Sequence, residues 1–236
     1  MTAGNQPPAS SSHTQAYGEA SYWDNRYALD PSTFDWYQKY PSLAPLIRLY
    51  VPPNDRVLIV GCGNSAFSKC MVDDEYLEVV NIDISSVVID AMQKKYSACS
   101  ELKYMKMDVR DMSAFDKGSF GAVIDKGTLD SLLCGQNSRQ NAAKMLEEVW
   151  RVLKDKGVYI LVTYGSPVYR LPLLKDLPWT TKLHVIEKLP SGNSSHQITR
   201  DLTSPIALDV NGTSAETIAG VKADVHYIYV CIKDNE

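Results

Sequence analysis

From residue 57 onward the chain alternates two hydrophobic periods. The runs Val57 to Val60, Val79 to Ile82, Leu102 to Met107, Ala122 to Ile124 and Val158 to Val162 are short, continuous and rich in β-branched side chains, as expected of strands buried on both faces. Between them, Val88, Ile89 and Met92 follow a capping Ser85, and Ala143, Leu146, Val149, Trp150 and Leu153 recur at helical spacing, with Gly157 as the stop. Strands alternating with helices predict a parallel sheet covered by helices on both faces. Two further strand-like runs, Leu183 to Leu189 and Val225 to Ile232, are separated only by a Ser, Gly and Asn-rich stretch over about 190–220. They predict an antiparallel pair added to the edge of that sheet.

Upstream, the first 18 residues are rich in Ser, Pro, Gln and Ala, with too little apolar surface to offset the entropy of ordering, and predict a flexible tail. The chain then turns aromatic (Tyr22, Trp23, Tyr27, Phe34, Trp36, Tyr37, Tyr40), and Leu43, Leu46, Ile47 and Tyr50 continue at helical spacing to Pro52-Pro53. One or two helices therefore lead into the sheet. Taken alone, that aromatic cluster reads as packing.

Composition narrows the class of protein. With 236 residues, 44% apolar and 22% charged, the chain can bury a sizeable core, and disorder, collagen and coiled coil are excluded as its main architecture. The 28 acids against 24 bases leave a net charge of −4, so nucleic acid is not the expected partner. No apolar run reaches the ~18 residues of a membrane helix, and the polar start lacks the apolar core of a signal peptide, which leads us to expect a cytoplasmic protein. Five cysteines without a Cys-x-x-Cys pair (Cys62, Cys70, Cys99, Cys134, Cys231) read as reduced thiols, with neither a disulfide nor a metal site. The sequons at Asn193 and Asn211 then read as chance.

The chemistry begins after the first strand. Gly61-Cys62-Gly63-Asn64-Ser65-Ala66 has the form of a strand, a glycine turn and a helix start, in which backbone N–H groups approach a ligand closely. Asp83 follows the second strand, 22 positions after Gly61, where a carboxylate accepts hydrogen bonds from both hydroxyls of a ribose. Those features suit a nicotinamide dinucleotide and S-adenosylmethionine equally. A second acid, Asp108, after the third strand, favours the latter, because it can accept a hydrogen bond from the adenine amino group. The fourth strand ends in Asp125-Lys126-Gly127-Thr128-Leu129-Asp130, on the edge of the sheet that faces the reactive end of such a ligand.

These blocks, with Tyr22-Trp23-Asp24-Asn25-Arg26-Tyr27, Asp35-Trp36, Ser85-Ser86-Val87-Val88, Met107-Asp108-Val109-Arg110 and Lys126-Gly127-Thr128-Leu129-Asp130-Ser131-Leu132-Leu133, resemble the seven-strand methyltransferases of the methyltransferase-like 13 group. That group includes lysine methyltransferases acting on elongation factor 1-alpha. The resemblance spans about residues 20–165. It implies a Rossmann-like α/β fold with a seven-stranded, mostly parallel sheet, helices on both faces and an antiparallel C-terminal edge hairpin. It also implies S-adenosylmethionine as cofactor, contacted by Trp23, Tyr27, Trp36, Gly61, Asp83, Ile84, Asp108, Val109 and Lys126, to which the glycine turn itself adds Gly63. The aromatic segment becomes a lid, so that 1–18 is the tail and 19–236 one domain, divided into a helical lid (19–52), a cofactor core (56–165) and C-terminal strands (179–236). Asp125 and Tyr164 are the residues expected to position the acceptor, a protein lysine with elongation factor 1-alpha as first candidate. A small-molecule methyltransferase, a non-catalytic binder of the cofactor and a nicotinamide-dependent oxidoreductase are the alternatives.

Overall fold

The computed structural model describes residues 16–188, 201–208 and 224–235. Most of the expected tail, and most of the long connection over 190–220, lie outside the described residues. Two helices, α1 (Ala20–Leu29) and α2 (Tyr40–Tyr50), come first. There follow β1 (Arg56–Val60), α3 (Phe67–Asp73), β2 (Glu78–Asp83), α4 (Ser86–Lys95), β3 (Leu102–Lys106) and β4 (Phe120–Lys126). The chain continues through α5 (Thr128–Leu133), α6 (Ser138–Val152), β5 (Leu153–Thr163), α7 (Pro167–Leu174), β6 (Trp179–Glu187) and β7 (Val225–Lys233).

One seven-stranded sheet runs in the order β3-β2-β1-β4-β5-β7-β6. The first five strands are parallel, and β7 lies antiparallel between β5 and β6. Alternation along the strands sends Leu58, Val60, Val80, Ile82 and Val123 to one face, where α5 and α6 cover them with Leu129, Leu132, Met145, Leu146 and Val149. Val57, Ile59, Val79, Ala122 and Ile124 point to the other, beneath Leu46, Ile47, Phe67, Met71, Val88 and Met92 of α2, α3 and α4. Because both faces are covered, the central strands read as continuous apolar runs. The chain builds β1 to β3 in one direction and then crosses back to β4 on the far side of β1. That reversal opens a crevice beyond the carboxyl ends of β1 and β4.

Several boundaries differ from the periodicity. The helix expected to reach Leu153 and stop at Gly157 ends at Val152, and β5 begins directly at Leu153. Leu153 pairs with Phe120 before the register shifts to Ala122 opposite Val158, so Lys154 to Gly157 form a bulge, with Lys156 at φ 60°. The buried stripe of α6 is Ala142, Met145, Leu146, Val149 and Val152, and Ala143 faces solvent. β6 starts four residues before Leu183, at Trp179, whose ring stacks on Tyr159 at 5.8 Å. Its first half looks polar because Thr180 and Lys182 alternate with inward-facing residues.

Candidate active site

Gly61 and Gly63 take φ of 60° and 53°, a region where a side chain is strained. Space is closed as well: a Cβ at Gly61 would overlap the Thr128 side chain, and one at Gly63 would sit 2.8 Å from the Tyr27 hydroxyl. The loop is tied down by Cys62 N–H to the Ile82 carbonyl (3.0 Å). Asp83, 6% exposed, accepts from the backbone N–H of Gly63 and of Ser85, both at 2.9 Å. Burial pushes its carboxyl up to about 6 against the pull of these backbone donors. A carboxylate offers about four acceptor positions, so sites remain for two ligand hydroxyls.

At the β3 edge, Asp108 accepts from the Arg110 guanidinium (Nη2 at 2.6 Å) and from the Arg110 backbone N–H (2.9 Å). Burial alone would raise its pKa, but the side-chain and backbone hydrogen bonds and the charge of Arg110 hold it below the usual carboxylate range.

The N-terminal segment roofs the crevice. Asp24 on α1 accepts from Ser85 Oγ (2.6 Å) and the Val87 N–H (3.3 Å), pinning α1 to the start of α4. Trp23 is buried, donates its indole N–H to the Tyr17 carbonyl at 2.7 Å and stacks on Tyr27 at 5.9 Å. The following stretch is stitched to the glycine loop: Asn64 takes the Phe34 N–H and donates to the Ser32 carbonyl, and Ser65 donates to Asp35. Lys126, at the end of β4, donates to Asp35 (3.2 Å) and to the Trp36 carbonyl (2.9 Å), and burial lowers its pKa.

One cleft results. Trp23, Tyr27, Trp36, Gly61, Gly63, Asp83, Ile84, Asp108, Val109 and Lys126 all line it, together with Arg26, Asn64, Thr128 and Ser131, which sequence reasoning did not assign. A signal for Arg26 was present, because Trp23, Arg26 and Tyr27 fall at i, i+3 and i+4 of one helix face. Two acids at one end, a cradle with no room for a Cβ and a roof of aromatic rings fit an adenosine bearing a sulfonium side chain.

The two residues expected to position the acceptor are not in that lining. Asp125 is fully buried: its oxygens accept from Thr128 N–H (2.7 Å), Leu129 N–H (3.1 Å) and the Tyr159 hydroxyl (2.9 Å). It caps α5 and faces the core, so it cannot orient an incoming amine. Tyr164 is 53% exposed just beyond β5, its ring 6.4 Å from Tyr37. The carboxylate that organises this corner is Asp130, which receives the hydroxyls of Tyr37 (2.7 Å) and Thr163 (2.6 Å) and the Arg170 guanidinium (2.6 Å).

Comparison with known proteins accords with this geometry. Residues 58–161 match the model of a methyltransferase domain. A Mus musculus protein named EEF1A lysine methyltransferase 4 is 35% identical over 175 residues, covering 70% of this chain and 68% of that protein. A Homo sapiens protein named eEF1A lysine and N-terminal methyltransferase is 36% identical over 157 residues, covering 65% of this chain but 22% of its own length. The fold is shared with a methyltransferase from Methanosarcina mazei, at TM-score 0.58 and 18% identity over 86% of this chain and all of that one. It is shared also with a geranyl diphosphate C-methyltransferase from Streptomyces coelicolor solved with S-adenosyl-L-homocysteine, at TM-score 0.56 and 15% identity over 97% of this chain and all of that one. The chain belongs to the seven-strand, S-adenosylmethionine-dependent methyltransferases, in the methyltransferase-like 13 group.

Proposed function

We propose that the enzyme methylates a lysine side chain of a protein, and that elongation factor 1-alpha is the substrate to test first. The observation that carries this reading is the 35% identity over 70% of the chain to a relative named for that activity. The reading also takes the reaction to be cytoplasmic, in keeping with five cysteines that are all unpaired.

When bound, the cofactor supplies an electrophilic methyl group on a sulfonium, and transfer is a single in-line displacement. The protein's part is then alignment and exclusion of water. Asp83 and the glycine loop hold the nucleoside, Asp108 and Val109 border the base, and the aromatic roof, fastened by Asn64, Ser65 and Lys126, closes over it. A lysine amine with an ordinary pKa near 10.4 is protonated at neutral pH, and freeing its lone pair at pH 7.4 costs about 4 kcal/mol, at 1.36 kcal/mol per unit. An apolar approach lowers that cost by disfavouring the ammonium. Trp36 in the cleft, and Tyr37 and Tyr164 beside it, supply such an approach, and Tyr164 remains our choice for the acceptor side.

Recombinant enzyme with methyl-labelled cofactor should label purified elongation factor 1-alpha at a single lysine, at a rate that rises with pH toward the lysine's effective pKa. Label that survives substitution of every candidate lysine, or that enters only the small-molecule fraction of a cell extract, would rule this acceptor out.

A further inference from the structure

We propose that Arg26 binds the α-carboxylate of the cofactor's amino-acid end. The proposal does not depend on which acceptor is methylated. The strand order β3-β2-β1-β4 sets Asp108, Asp83, Gly61 to Gly63 and Lys126 in a row along one edge of the sheet. A nucleoside with its ribose at Asp83 and its base at Asp108 must extend its other end past the glycine loop toward β4. That end carries a carboxylate and an ammonium, and the carboxylate needs a cation.

Among the described residues two cations line the cleft, Arg26 and Lys126. The Lys126 ammonium is already held by Asp35 and by the Trp36 carbonyl. The Arg26 guanidinium lies over the rings of Phe34 (5.5 Å) and Trp36 (5.6 Å), at the β4 side of the cleft. Among the described residues no carboxylate forms an ion pair with it, and Asp30, the acid that follows it at the end of α1, receives the backbone and hydroxyl donors of Ser32. Ring faces orient a guanidinium through its plane and leave its edge N–H groups free. Those edges form the fork that matches a carboxylate in two parallel hydrogen bonds. The helix that carries Arg26 is itself fixed, because Asp24, two residues earlier, is bonded to Ser85 and Val87. The other charged side chains of the lining, Asp30, Asp83 and Asp108, would repel a carboxylate.

Calorimetry with S-adenosylmethionine and its decarboxylated analogue, which keeps the sulfonium and the amine, isolates the carboxylate. The wild-type enzyme should bind the intact cofactor at least tenfold more tightly than the analogue, and Arg26→Gln should bind the two within threefold of each other. Affinity for the analogue itself should be unchanged in the variant, which also reports an intact cleft. Arg26→Lys, retaining the charge without the fork, should fall between. A wild-type enzyme that does not distinguish the two ligands, an Arg26→Gln variant that distinguishes them as well as wild type, or a variant that loses affinity for both equally would each overturn the assignment.

Discussion

Asp83, the last residue of β2, and Asp125, the penultimate residue of β4, are both buried carboxylates of the same sheet, yet their oxygens face different surroundings. Asp83 borders the cleft, with backbone donors taking part of its acceptor capacity. On the proposed placement of the cofactor, Asp83→Ala removes charge-assisted hydrogen bonds to ribose hydroxyls, worth ~1.5–3 kcal/mol each, so cofactor affinity should fall at least tenfold by calorimetry in a folded variant. With its carboxyl pushed up to about 6 by burial, the ionised acceptor is lost as pH drops from 7 to 5. Cofactor affinity should weaken over that window in the wild type and stay weak and flat in Asp83→Asn. The linkage to folding has the opposite sign: a carboxyl raised above its unfolded value of ~3.9 favours the fold below that pH and loses this contribution as pH rises through about 6. Asp125, by contrast, serves the fold. Asp125→Ala strands two backbone donors and the Tyr159 hydroxyl inside the core, at ~1–3 kcal/mol apiece. Urea denaturation should show a loss of ~3 kcal/mol or more. Unchanged stability with slowed transfer would return Asp125 to the acceptor site.

At the level of elements, the roof formed by α1 and the residues before α2 is held by polar side chains contributed from the sheet edge. Trp23 is the one buried residue of α1, while Tyr27 and Tyr37 are partly buried against the core beneath. Such a segment is cheap to open and depends on a few bonds. Lys126→Met removes the ammonium that joins β4 to Asp35 and Trp36. It should weaken cofactor binding about tenfold and hasten proteolytic cleavage within residues 30–39, because a charge-assisted hydrogen bond contributes ~1.5–3 kcal/mol. Deleting residues 1–15 should leave affinity unchanged. Deleting 1–39 should abolish binding, with circular dichroism checking that the sheet survives.

Across the whole molecule, the last strands reach back to the first helices. His226 at the start of β7 lies 4.7 Å from the Tyr37 ring and 3.3 Å from Gln38 Nε2, and that same amide donates to the Glu187 carbonyl at 2.8 Å. His184 on β6 is bonded to the Tyr50 hydroxyl at 3.0 Å and to the Leu202 carbonyl at 2.8 Å. Burial lowers the pKa of both imidazoles, that of His226 to about 4. A histidine depressed in the fold contributes stability above its unfolded pKa of ~6.5 and loses it as pH falls toward 4. Between pH 6.5 and 4 these histidines pull the melting temperature down while the raised carboxyl of Asp83 pulls it up, so the expected outcome is differential: His226→Gln should lose less, or gain more, melting temperature than the wild type as pH falls across that window.

The sequence by itself determined the parallel core, since β-branched runs separated by helical periods have few other ways to bury both faces. It also placed a glycine turn and two acids on one cleft. Gly61, Gly63, Asp83 and Asp108 lie at or just after the carboxyl ends of β1, β2 and β3, and parallel strands bring those ends to one edge of the sheet. Only the tertiary structure decided which acid does what beyond β4. Asp125 and Asp130 are five positions apart, and nothing local separates them. Asp125 caps α5 through the neighbouring Thr128 and Leu129 N–H groups, but the Tyr159 hydroxyl that closes it into the core, and the Tyr37, Thr163 and Arg170 groups that meet at Asp130, arrive from distant elements. The roof was undecided for the same reason. An aromatic cluster reads alike as core or as lid until Asn64, Ser65 and Lys126 fasten it over the glycine loop, and those hydrogen bonds exist only once the sheet has brought their strand ends together.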